Sequence, residues 1–153
     1  MKIQNIIFDV DGVFTDGSFY YSDKGKTMKR FGPHDSDGIK FLKSKGINIS
    51  AITADHRGFA ISQKRMNDMN IPLELVSEID RCQYVANNYD LHLTCFMGDG
   101  HFDAEVFELV RYSVAPANAV ERALEKANYV TVSVGGNGAV YEAALHLLKV
   151  TGE

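Results

Sequence analysis

The chain has 153 residues, 45% of them hydrophobic, and a formal net charge of −4. That length suits one core and one domain, residues 1–153; no apolar run approaches the roughly 20 residues that span a bilayer, and the acidic balance argues against a nucleic-acid surface. Cys82 and Cys95 make neither a disulfide framework nor a metal cluster, and Met1 to Asn5 run straight into a strand without a secretory leader, so the expected location is the cytoplasm, with no nucleic-acid or membrane partner.

Residues 3–9 read as a strand that ends in Asp9-Val10-Asp11-Gly12. Residues two apart on a strand share a face, so Asp9 and Asp11 can converge on one atom while Val10 points to the core, and Gly12 lets the backbone turn. An ionised carboxylate can attack phosphorus when a cation neutralises the phosphate and a second group protonates the departing alkoxide. On that chemistry Asp9 is the nucleophile, and Asp11 is first the acid and then the base that activates water. The plainer alternative is a pair of acidic residues closing a strand in a turn. Next, Ser18–Ser22 and Lys26–Phe31 form a hairpin around Asp23-Lys24-Gly25. A helix from about Ser36 is expected to stop at Gly46, a natural C-terminal cap. The strand from Ile47 to Ile52 is closed by Thr53, and a helical pattern covers about 57–69. The Thr53 hydroxyl and the Ala54 amide can both donate to a phosphate oxygen; Thr53 can equally serve as a helix N-cap.

Helical patterns follow at about 79–89, 103–111, 118–127 and 138–149, with short apolar runs at 73–76, 93–97, 112–115 and 129–132. The alternation predicts an α/β fold, a doubly wound and mostly parallel sheet with helices on both faces. Ligands of such sheets bind beyond the carboxyl ends of the strands, where Asp9, Thr53 and Asp99 all lie. Asp99 and Asp103, four residues apart, fall on one side of the turn into the next helix. An Asp-Gly turn with an acidic helix start is the plainer reading of that pair.

Asp9-Val10-Asp11-Gly12-Val13-Phe14-Thr15-Asp16-Gly17 resembles the first motif of the haloacid dehalogenase superfamily, and most resembles its sugar-acid phosphatase branch. The resemblance continues through Phe31–Lys40, Gly98-Asp99-Gly100-His101-Phe102-Asp103 and Gly135–Glu142, nearly the whole chain. It implies a Rossmann-like haloacid dehalogenase fold of the capless subclass, with a β-hairpin flap and no separate cap domain. It also implies a magnesium-dependent phosphatase that cleaves a phosphorylated sugar acid, octulosonate 8-phosphate or a nonulosonate 9-phosphate, through an aspartyl-phosphate. Magnesium prefers octahedral oxygen ligands with only one or two carboxylates, and is assigned to Asp9, Asp99 and the backbone carbonyl of Asp11. Asp103 supports the site in the family pattern.

Other positions depart from that pattern. Aligning Ser77-Glu78-Ile79-Asp80-Arg81 with the family motif puts Arg81 where relatives carry a phosphate-facing lysine; arginine keeps the charge in a planar, differently solvated form, and the plainer reading of Arg81 is an exposed residue on an amphipathic helix. Thr53-Ala54-Asp55-His56-Arg57 replaces the usual Thr-Gly-Arg, which makes Arg57 the candidate substitute, unless the substrate differs or Arg57 is a solvated arginine at a helix start. Asn137 and Tyr141 stand where relatives have two arginines. Thr15, Asp16, Lys26, Asp35, Arg57 and Asn137 are the expected sugar contacts. The crevice is open to water, and Phe19, Tyr20 and Tyr21 suit a buried contact; relatives form homotetramers around such hairpins, so a neighbouring subunit's hairpin is expected to cover the site. Two rivals belong to other classes. One is a catalytically weakened relative acting as an assembly or binding module, motivated by Arg81, Asp55 and the lost arginines. The other is a receiver-like phosphoacceptor domain with Asp55 as acceptor, which lacks the late Lys-Pro pair such domains carry.

Overall fold

The computed structural model describes residues 1–152. In chain order its strands are β1 (Asn5–Asp9), β2 (Thr15–Ser22), β3 (Gly25–Phe31), β4 (Asn48–Thr53), β5 (Leu73–Leu75), β6 (Thr94–Met97), β7 (Tyr112–Ala115) and β8 (Tyr129–Val130). The helices are α1 (Asp35–Ser44), α2 (Phe59–Asp68), α3 (Arg81–Asn88), α4 (Asp103–Phe107), α5 (Glu121–Lys126) and α6 (Ala139–Thr151). Six strands form a parallel sheet in the order β5-β4-β1-β6-β7-β8, while β2 and β3 pair antiparallel as a separate hairpin.

β1 is central because its sequence is apolar on both sides. Alternate residues of a strand face opposite ways. Ile6 and Phe8 enter a core with Ile39 and Leu42 of α1 and Val140, Ala143 and Leu147 of α6. Ile7 turns to the other face, where Ile52 and Phe96 meet Val85 of α3, Val106 of α4 and Ala123 of α5. A strand buried on both faces needs helices on both, which is the doubly wound architecture expected. The chain runs outward from β1 through β4 to β5, then returns to the opposite side of β1 as β6. The order therefore reverses between β1 and β6, and a crevice opens at their carboxyl ends.

α1 ends as predicted: the Gly46 N–H donates to the carbonyl of Lys43 and the Ile47 N–H to that of Leu42, the paired bonds of a Schellman cap. Several predicted elements are shorter. The helix expected over 79–89 begins as a 3-10 turn, Glu78–Asp80, before α3. The one expected over 103–111 stops at Phe107, where Leu109 and Val110 both donate to the Val106 carbonyl and Arg111 swings to the carbonyls of Leu91 and Thr94 to set up β7. α5 starts at Glu121 because the Val120 N–H is drawn to the carbonyl of Asp99, 2.9 Å away. β8 stops at Val130, since the Glu142 carboxylate takes the N–H groups of Val132 and Ser133. Among the described residues no helix is long and apolar enough to cross a membrane.

Candidate active site

A cleft of about 370 Å³ opens at the carboxyl ends of β1, β4 and β6. Asp9, Asp11, Thr53, Ala54, Arg81, Asp99 and Asp103 line it, so residues from separate parts of the chain meet where the sheet topology reverses. β1 delivers Asp9, and Gly12 turns the chain away with φ +80°. A Cβ on Gly12 would fall 1.8 Å from Oδ2 of Asp99. Only glycine allows the β1 loop and the β6 loop to approach this closely.

One wall of the cleft is a cluster of acids. Asp9, Asp99 and Asp103 each offer a carboxylate oxygen, and these oxygens lie within 4.8 Å of one another. Burial, with Asp103 and then Asp99 adding repulsion against the opposing pull of Arg81, raises the Asp9 carboxyl well above its ordinary range. Burial and Asp103 likewise push Asp99 up to about 6. Asp103 is wholly buried; its Oδ2 accepts the N–H groups of Asp99 (3.0 Å) and Gly100 (2.9 Å), which fixes the β6 loop. Arg81 is buried as well, bonded through Nη1 to Asp103 and through Nη2 to Oδ1 of Asp9 at 3.2 Å. Burial works against its charge, but the two carboxylates outweigh that and hold the guanidinium more firmly protonated than usual. The alternative of an exposed helix-surface arginine is therefore corrected. One guanidinium does not balance three carboxylates, and this oxygen-only donor set is of the kind hard divalent cations take. Removing the like-charge repulsion requires such a cation or the uptake of protons.

The opposite wall is charge-balanced. Lys29, from β3, places its ammonium 2.8 Å from Oδ1 of Asp11, 2.9 Å from Oδ2 of Asp55 and 2.8 Å from Oγ of Ser62. Lys26 donates to the same Asp55 oxygen at 2.8 Å and lies over the Phe19 ring. Burial opposes ionisation of Asp55, yet Lys26, Lys29 and the Gly58 N–H together hold it well below the usual carboxylate range. Thr53 Oγ1 accepts the Asp55 N–H at 3.2 Å and sits 3.5 Å from Oδ2 of Asp11. It is not a helix N-cap, because α2 begins at Phe59 with Gly58 in the cap position.

The expected sugar contacts do not gather in the cleft. Thr15 is buried, its hydroxyl accepting the N–H groups of Gly12 and Gly17, so it folds the first loop. Asp16 is turned back to the N–H and hydroxyl of Ser18. Lys26 is committed to Asp55. Asp35 is buried at the start of α1, beside the backbone N–H of Tyr141, with Oδ1 unpartnered; burial, opposed by the charge of Arg65, pushes it up to about 7. Arg57 and Asn137 are exposed and lie outside the cleft lining. The glycine-rich turn before α6 has a packing role: a Cβ on Gly135 would strike the Gly12 carbonyl oxygen at 2.0 Å. Asn118 ties the two loops together, donating to that carbonyl while accepting the Gly135 N–H.

Sequence reasoning passed over Lys29, Asn118, Glu78, His101 and Phe102, of which the last three line the cleft. His101 and Phe102 lie inside the Gly98–Asp103 motif, and that position was their signal. Lys29 had none, because its partners lie 18, 26 and 33 residues away in sequence.

A strand-end aspartate pair, a buried cation and an acidic cluster at the switch point of a doubly wound sheet define a phosphoryl-transfer class of site. Residues 76–143 match the model of the haloacid dehalogenase-like hydrolase family. The 3-deoxy-D-manno-octulosonate 8-phosphate phosphatase of Yersinia pestis is 33% identical over 92% of this chain and 77% of its own length; that of Haemophilus influenzae is 29% identical over 99% and 88%. A solved structure of a putative phosphatase of the same description from Vibrio cholerae superposes with a TM-score of 0.85 at 33% identity, covering 99% of this chain and 87% of that one. Another, from Moraxella catarrhalis in complex with magnesium, phosphate and KDO, gives a TM-score of 0.88 at 25% identity over 98% and 88%. The chain belongs to the haloacid dehalogenase-like hydrolases, in the family of these octulosonate phosphatases, and is a phosphomonoester hydrolase. The receiver-like alternative falls with that assignment, and Asp55, its proposed acceptor, is bound by two lysines.

Proposed function

We propose that residues 1–153 act as one cytoplasmic phosphatase domain that hydrolyses the terminal phosphate of a sugar acid, 3-deoxy-D-manno-octulosonate 8-phosphate or a nonulosonate 9-phosphate, with magnesium. The observation that carries this reading is the surplus of buried carboxylate at Asp9, Asp99 and Asp103 against the single guanidinium of Arg81. Asp9, Asp99 and the backbone carbonyl of Asp11 would hold the metal, which would supply positive charge where a phosphate must approach the carboxylates. Oδ1 of Asp9 is occupied by the Val10 N–H at 2.9 Å and by Arg81, which leaves Oδ2 to attack phosphorus. The P–O bond to the sugar breaks as the aspartyl-phosphate forms, and Asp11 gives its proton to the departing oxygen. Asp11 then takes a proton from the water that hydrolyses the intermediate. Arg81, the Thr53 hydroxyl and the Ala54 N–H bind the phosphate oxygens, while Asp103 holds Asp99 and Arg81 in place. The octulosonate relatives and the KDO-bound structure support the sugar-acid choice.

The hairpin supports a second part of the proposal. Phe19, Tyr20, Tyr21 and Met28 are 46 to 65% exposed on it, a patch suited to contact with another subunit, and in a homotetramer such hairpins cover the neighbouring clefts. A monomer by sedimentation velocity overturns this part.

The test is magnesium-dependent phosphate release across a panel of sugar-acid and simple sugar phosphates, with Asp9→Asn as control. The expected outcome is turnover that needs the metal and falls by at least about 10⁴-fold in the variant, the scale seen when a nucleophile is removed. No turnover by a folded protein that binds magnesium would favour a weakened relative serving as an assembly module.

A further inference from the structure

Lys29 is an enclosed charge outside the acidic cluster. Its side chain has 0% exposure, a costly placement for an ammonium unless its donors are all met. They are met: an ammonium has three N–H donors, and Asp11, Asp55 and Ser62 are its three acceptors. Asp55 is also held by Lys26 and Ser62 belongs to the packed face of α2, so two of the anchors are fixed independently of Asp11. Asp11 is the most open to the cleft of the three partners, its side chain 34% exposed against 14% for Asp55, with Oδ1 on Lys29 and Oδ2 beside Thr53.

We propose that Lys29 is a positioning residue for catalysis, borrowed from the hairpin: by clamping Oδ1 of Asp11 it leaves Oδ2 to carry the proton toward the leaving oxygen. This rests on the phosphatase reading above and deepens it. As the bond from Asp9 to phosphorus forms and the bond to the sugar oxygen breaks, the Oδ2 proton passes to that oxygen and Asp11 is left as a carboxylate. The ammonium 2.8 Å away stabilises the charge that appears, so its help is greatest in the transition state. The hairpin thereby gains a part in the chemistry of its own subunit, because its seating against α2 sets where Asp11 points.

Leaving-group dependence tests this. 3-Deoxy-D-manno-octulosonate 8-phosphate expels an alkoxide that needs a proton; p-nitrophenyl phosphate expels a stable phenolate that barely does. For Lys29→Met, kcat/KM should fall by about 100-fold on the sugar phosphate and by less than about fivefold on the nitrophenyl ester, with Lys29→Arg recovering at least about tenfold of the larger loss, the range attributed to a positioned acid. Equal losses on both substrates by folded Lys29→Met mean a structural role only and overturn the proposal. Should Lys29→Met fail to fold, Ser62→Ala loosens the clamp without removing charge. It should lose about threefold more on the sugar phosphate than on the nitrophenyl ester, and an even loss or none overturns the proposal. Wild-type protein inactive on both substrates, or Asp9→Asn as active as wild type, would instead sink the phosphatase reading itself.

Discussion

The two walls of the cleft are built from the same residue types and behave oppositely. On the β6 side three carboxylates crowd one guanidinium, and burial with mutual repulsion lifts Asp9 and Asp99 out of the ordinary carboxylate range. On the hairpin side two lysines face two carboxylates, and Asp55 is driven the other way. The first wall has an electrostatic deficit that a cation relieves; the second has none to relieve. Charge count within a few ångströms, rather than the mere presence of aspartates, separates a wall that receives a ligand from one that holds itself in place.

Removing the only side-chain cation of the first wall gives the largest expected effect on that contrast. Arg81→Met leaves Asp9 and Asp103 without a side-chain counter-charge, a change that costs about 3–5 kcal/mol when one member of a buried ion pair is deleted. That corresponds to a drop in Tm of roughly 10 °C for a chain of this size, and magnesium should restore more of the loss than it adds to wild type. A Tm unchanged in the metal-free variant would mean that the cluster is balanced without Arg81.

Protons compete with the metal on the same wall. Asp99 ionises at about 6 in the metal-free protein, and a ligand carboxylate must be deprotonated to bind. Magnesium affinity should fall as pH drops through that value, by up to about tenfold per pH unit for each proton displaced. Calorimetric titration at several pH values measures this, and an affinity indifferent to pH between 5 and 7 would remove Asp99 from the ligand set.

The smallest effect comes from a group on neither wall. Asp35 takes up its proton at about 7 when folded, against a reference of 3.8, so between those values the folded state binds the extra proton. Its contribution is greatest at low pH and is lost as pH rises toward 7. Asp35→Asn cannot ionise, and should gain roughly 3 °C in Tm over wild type between pH 6 and pH 8, the shift expected for about 1 kcal/mol. Parallel melting curves across that range would show that the carboxyl is solvated after all.

Much of the fold was legible because it rests on short-range patterns. Ile6, Ile7 and Phe8 declare a strand buried on both faces, Gly46 a helix end, and the alternation of elements a parallel sheet. Asp9, Asp11, Thr53, Ala54, Asp99 and Asp103 were legible too, since each follows a strand and strand ends in such sheets converge. Arg81 was located by its place in the motif, but its burial between Asp9 and Asp103 was not. Where the expected sugar contacts sit was not legible, for a different reason. Thr15 and Asp16 lie near the aspartate pair in sequence, yet a loop this tight uses its own polar side chains to satisfy its backbone, which commits both of them locally.

By itself, the sequence determined the order of the elements, the strand ends and the acids placed on them, because periodicity and turn chemistry act within a few residues. Tertiary structure alone decided which charges neutralise one another. Lys29, Asp55 and Asp11 come from a hairpin and two different strand ends, as do Asn118 and the two loops it joins. Coulomb energies and hydrogen bonds depend on distance and burial in the folded chain, and neither is defined until the hairpin has docked on α2 and the loops have closed over β1.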